Sequence, residues 1–145
     1  MHRRTLLAVL PLLIVAGPAA ASEEKKPAAA EVGQYVDLSP VGLPIIVRGQ
    51  LVNYVFVYVR INLSSGANTG RWREREPYFR DALVRASHRT PFTLADDYQK
   101  IDVARLTATL TRDAAAITGP GVVRSVVVTS QAPRRRVPAP RPVAS

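Results

Sequence analysis

Any catalytic reading of this sequence has to begin at His88, one of only two histidines in the chain, the other being His2. A histidine acting as base needs a nucleophile and an orienting carboxylate within hydrogen-bond reach. His88 instead closes an amphipathic stretch shortly before Pro91, where an imidazole interacts favourably with a helix C-terminus. Asp96, Asp97 and Asp102 are the acids that could hold a hard cation. Calcium loops, however, set ligands at alternate positions around a glycine turn, and this run has no such pattern. Acids opening a helix explain them more simply. The sequence has no GxSxG, P-loop, GxGxxG or HExxH, and Gly119-Pro120-Gly121 reads as a helix stop. We therefore expect no enzyme, no metal and no cofactor.

Binding chemistry is better represented. Tyr54, Phe56 and Tyr58 alternate along one strand and lead to Arg60. Such a row can stack the bases of single-stranded nucleic acid, or it can be a packed sheet face or a protein–protein contact. Trp72 lies among charges in RWRER, at the surface or beneath arginine stems, and Trp with Arg makes a favoured interface anchor. Arg134, Arg135 and Arg136 form a basic run near the C-terminus, joined by Arg141.

The elements and the compartment decide between these readings. The opening MHRRTLLAVLPLLIVAGPAAAS has a basic start, an apolar run from Leu6 to Ala16 and a small-residue site before Ser22. That is the form of an export signal. The alternative is an uncleaved anchor, for which the run is short and interrupted by Pro11. Arg3-Arg4 also fits twin-arginine export. The expected location is the periplasm, with inner-membrane anchoring if the segment stays. A formal charge of +9 would ordinarily suggest nucleic acid, but an exported protein rarely meets it. Anionic lipid headgroups, lipopolysaccharide, acidic envelope proteins or self-assembly are the expected partners, with no nucleic acid. A basic tail that is simply solvated is the plainer alternative. With no cysteine, no disulfide staples the fold.

Residues 22–33 read as a polar linker, 34–131 as a single domain, and 132–145 as a disordered Arg/Pro tail. Within the domain, Tyr35–Leu38 and Leu43–Gly49 are strand candidates. Leu51–Leu63 is a long strand by its β-branched and aromatic content. Its alternation puts Val55, Val57, Val59, Ile61 and Leu63 on one aliphatic face and Tyr54, Phe56 and Tyr58 on the other. The aliphatic face needs a helix layer. Glu76–Ser87 supplies one helix through the stripe Phe79, Ala82, Leu83 and Ala86. Ile101–Ile117 supplies a second, with Val103, Leu106, Leu110, Ala114 and Ile117 inward. Val122–Gln131 is a closing strand whose valine run suggests a covered place in the sheet. The expectation is an α+β fold of order β-β-β-α-α-β: a small, mainly antiparallel sheet of about four strands with two helices on one face.

The succession YVDLSPVGLPI, central strand, EPYFRDALVRASHRTP and LTATLTRDAAAITGPGVVRSVVVTSQ resembles the periplasmic domain of FliL-like flagellar basal-body-associated proteins. Pro77, Arg80, Asp81, Leu83, Thr90 and Gln131 fall where that family's loose motifs would put them. The resemblance implies a fold like the SPFH domain of stomatin-type proteins and a scaffold that acts by binding, supporting flagellar stator units. Two departures stand out: the N-terminal segment is shorter than that family's anchor, and the Arg/Pro tail runs past the closing strand. The function expected is thus a non-catalytic envelope scaffold, with a binding protein for a small apolar or anionic ligand as the alternative. The tentative contact residues are Tyr54, Phe56, Tyr58, Arg60, Trp72 and Arg134–Arg136.

Overall fold

A computed structural model describes residues 34–141; the expected export signal and linker lie outside them. The order is β1 (Tyr35–Asp37), β2 (Val41–Val47), β3 (Gln50–Leu63), α1 (Thr69–Glu74), α2 (Glu76–Arg89), α3 (Val103–Thr118) and β4 (Val123–Pro133). The four strands form one antiparallel sheet in which β3 pairs with each of the others. The expected α+β architecture is what is found.

β3 is the hub, and its register fixes the topology. Val57 is paired with both Val41 and Gln131, and Arg60 with both Asp37 and Val127. A strand has two sides only, so β4 takes one, and β1 and β2 lie end to end along the other. Between them Leu38–Pro40 makes a bulge, yet the Leu38 N–H still donates to the Val59 carbonyl at 2.9 Å. β1 and β2 are in effect one edge strand broken at Ser39-Pro40. The closing strand is therefore not in the covered position that its valines suggested. β4 is an edge strand, and only Val126 of its valines is buried, because one face of the strand is left without a helix.

β2 and β3 are joined by the two-residue turn Arg48-Gly49, with φ of 52° and 76°. Positive φ at both positions is the twist that suits a tight hairpin. Glycine takes it without cost, whereas arginine is strained there. Replacing Arg48 with Asn should stabilise the domain by roughly 0.5–1 kcal/mol, measured by urea unfolding. A neutral or negative result would mean that the arginine stem contributes contacts of its own.

The core forms where the aliphatic face of β3 meets the helices. Val55, Val57, Val59, Ile61 and Leu63 are all buried, as are Phe79, Ala82, Leu83 and Ala86 of α2 and Leu106, Leu110 and Ala114 of α3. Each full burial of a Val, Leu, Ile or Phe side chain among these contributes about 1.5–3 kcal/mol relative to exposure. Val103 departs from its expected inward place and is exposed. Ile101 takes the buried position instead, held by a bridge to Thr93 and by its N–H donating to Gln131 Oε1 at 2.9 Å.

One helix was not expected. The basic cluster around Trp72 forms α1, capped by Asn68, whose Oδ1 accepts from the Arg71 N–H at 3.1 Å. α1 lies against β1, and α2 against β2. α3 covers β4. Among the described residues the helices all lie on one face of the sheet, and none covers the other.

Candidate interaction surface

The open face is built by alternation. With the odd residues of β3 from Asn53 onward turned inward, Tyr54, Phe56, Tyr58, Arg60 and Asn62 are turned outward. Phe56 is 42% exposed and Tyr58 44%, and Val127, opposite Arg60 on β4, adds an apolar side chain at 43%. Gly42 sits opposite Phe56 on β2, where a Cβ would meet the Phe56 ring at 3.2 Å. The ring therefore lies across the glycine, flattening this part of the surface. Glycine under an aromatic neighbour is a cross-strand pairing in its own right.

At the β1 end the face becomes polar but not charged overall. Arg60 Nε donates to Asp37 Oδ1 at 2.7 Å and Nη2 to Oδ2 at 2.9 Å. The two residues are directly opposite in register. The guanidinium also stacks 3.8 Å from the Tyr35 ring centroid, which Arg73 approaches from 5.1 Å. The hydrogen bond to Asp37 raises the Arg60 pKa above its ordinary value. Arg60 is thus a paired, positioned member of the surface and not a free cation for an acidic partner.

Trp72 belongs elsewhere. It is 6% exposed, inside the core, with its ring centroid 6.3 Å from that of Phe79. Two guanidiniums lie over its ring, Arg71 at 5.0 Å and Arg75 at 5.9 Å from the centroid. The expectation of an interface anchor fails because α1 turns the indole inward, leaving the neighbouring charges outside.

The start of the tail is also placed differently. β4 continues to Pro133, and the Arg134 N–H donates to the Tyr54 carbonyl at 2.8 Å. Arg135 Nη2 donates to the Val52 carbonyl at 2.6 Å. Its own carbonyl accepts from Asn53 Nδ2 at 2.9 Å. The domain therefore extends beyond Gln131, and of the arginine triplet only Arg136 is without such a tie to β3 among the described residues. Asn53, which the sequence reading passed over, is the buried polar group that makes this junction. It also donates to the Tyr98 carbonyl at 3.0 Å and accepts from the Tyr54 N–H at 2.9 Å.

The residues considered for catalysis have structural partners. His88 Nδ1 donates to the Val84 carbonyl at 2.8 Å, in the last turn of α2. Ser87 Oγ donates to the same carbonyl at 2.7 Å. With Nδ1 carrying that proton, this nitrogen has no lone pair with which to take the serine's. Asp102 caps α3 by accepting from the Arg105 N–H at 3.1 Å, and Asp97 accepts from the Gln99 N–H at 2.8 Å. Among the described residues no group of three potential metal ligands comes together.

Comparison of the sequence with protein-family models and with characterised proteins, and of the fold with solved structures, finds no match.

Proposed function

We propose that this protein is a non-catalytic interaction protein of the cell envelope that works by presenting the open face of its sheet to a protein partner. One observation carries the reading: the helices cover a single face, while Phe56, Tyr58 and Val127 stand exposed together on the other. Contiguous exposed apolar surface on a folded domain marks an interaction site more often than a random surface does. Aromatic side chains there supply large contact area at low entropic cost.

The FliL-like scaffold role, with support of a flagellar stator or basal body, is part of this proposal. It rests on the loose motifs quoted above, and those residues have structural work in this fold. Pro77 opens α2, Leu83 fills the core and Gln131 ties β4 to the loop before α3. Periplasmic location, self-assembly and contact with an anionic membrane through the tail belong to the same reading. The alternative, a small-ligand carrier, calls for an enclosed apolar chamber with convergent polar groups. The clefts among the described residues are open to solvent and lined in part by arginine.

The test is the double substitution Phe56→Ser and Tyr58→Ser in the full chain, followed by cross-linking in envelope preparations and sizing at two concentrations. Each truncated hot spot is worth about 2 kcal/mol, roughly 30-fold in affinity. The wild-type protein should give a larger species that the variant loses, with circular dichroism unchanged. Identical species in both would sink the reading. N-terminal sequencing of the same material should begin at Ser22, and an intact N-terminus would place the protein on the membrane instead.

A further inference from the structure

On the opposite layer from the aromatic face, a cleft of about 490 Å³ is lined by Arg89 and Thr90 at the end of α2 and by Arg105, Thr109, Arg112 and Asp113 of α3. We infer that this cleft is a binding site for a phosphoryl-type oxyanion. Three guanidiniums offer up to five N–H donors each in a planar fork suited to phosphate, and two hydroxyls add to them. Asp113 is the single carboxylate, so the cleft is short of acceptors and carries net positive charge. Arg105 and Arg112 are seven residues apart on α3, about 10 Å along the axis and on the same side of the helix. Arg89 approaches from α2, so the cations reach the cleft from both walls.

The side chains are also uncommitted in the right places. The hydroxyls of Thr107, Thr111 and Thr118 each donate to a backbone carbonyl. Thr109, between the two arginines, has no hydrogen-bond partner for its hydroxyl among the described residues, and neither has the Arg105 guanidinium. Asp113 lies 3.8 Å from Arg89 Nη2 and 3.5 Å from Arg112 Nε. It links Arg89 of α2 to α3 and contacts its own neighbour Arg112, and it has no ion pair with Arg105. Ala86 and Phe92 form the floor and are themselves buried. Their lack of polar atoms leaves the donors of the walls without competition from beneath. Such a site takes a phosphate monoester or diester, whether a free anion or a lipid headgroup.

The test uses the full chain, isotope-labelled and titrated with inorganic phosphate at constant ionic strength, so that general screening cannot mimic binding. Saturable shifts are expected at the amides of Arg89, Thr90, Arg105, Thr109 and Arg112. The double variant Arg105→Gln/Arg112→Gln should raise the half-saturating phosphate concentration at least ~10-fold, since charge-assisted bidentate bonds are lost. The tail variant Arg136→Gln should leave it unchanged. Sedimentation with phosphatidylglycerol and phosphatidylcholine vesicles then separates the sources. Pull-down by the former, reversed by phosphate and lost in the double variant, identifies a headgroup; phosphate binding with no pull-down identifies a free anion. Shifts that stay linear in phosphate, or a double variant that titrates as wild type, would overturn the inference. Because the cleft and the aromatic face are on opposite layers, neither result bears on the other proposal.

Discussion

Replacing Phe79 with alanine lowers the stability of the domain by about 3–5 kcal/mol, the range for removing a buried aromatic side chain. Phe79 has no exposed surface, stands on the inward stripe of α2 and supports the Trp72 indole from 6.3 Å. Its loss would open a cavity beside the Trp72 indole, leaving α1 to its packing on β1 and the Arg73 Nε bond to the Tyr35 carbonyl. A domain of this size has about 5–15 kcal/mol in total, and this one has no disulfide to limit its unfolded state. The urea midpoint should fall steeply while the slope of the transition is kept. Phe56→Ala is the matched control: the same chemical change at a side chain 42% exposed should cost less than about 1 kcal/mol. Similar losses at the two sites would mean that the open face is covered in the folded protein.

Asn53→Leu is the second large effect, and its cause is polar. The side chain is nearly isosteric, so little volume changes. Leucine, however, strands the Tyr98 and Arg135 carbonyls and the Tyr54 N–H, which Asn53 now satisfies. Leaving a buried polar group unpaired costs about 1–3 kcal/mol; with some relaxation toward water, a loss of about 2–4 kcal/mol in all is expected. The damage should also be local. Exchange of the Arg134 amide, bonded to the Tyr54 carbonyl, should accelerate, and trypsin should cut sooner after Arg135 and Arg136. Unchanged exchange at Arg134 would show that the strand end is held without Asn53.

The two faces of β3 could be read from residue order because a strand's side chains alternate with a period of two. Five aliphatic residues interleaved with three aromatics have only one arrangement on a sheet. The α2 stripe was legible for the same reason at helical period. What escaped reading depends on distant partners. Nothing local to Tyr35–Val47 says that a break at Ser39-Pro40 leaves both halves on the same side of β3. Only the common pairing partner shows it. The sequence leaves Trp72 open between the surface and a place beneath arginine stems, because charge next to an indole says nothing about which way a short helix turns; the structure has the second. The Asn68 cap was the available signal for that helix. Arg134 and Arg135 looked like the start of a solvated tail by composition, yet their backbone continues a ladder. Arg89 and Arg105 come from different helices, so no spacing along the chain could have joined them.

The pairing of β4 with β3 also sets an order of events. The other pairings of the sheet span less of the chain, the most distant being Tyr35 with Asn62, whereas Arg60 must wait for Val127 and Val55 for Pro133. Pairings this distant in sequence are slow to form. During synthesis β3 therefore stands with one side bare until β4 has been made, an apolar strand open to wrong pairings. The domain cannot close until nearly its last residues have been made. Until β4 is in place, β3 keeps one edge without a partner and α3 lacks the strand it packs on, so sheet and helix layer are completed by the same late event.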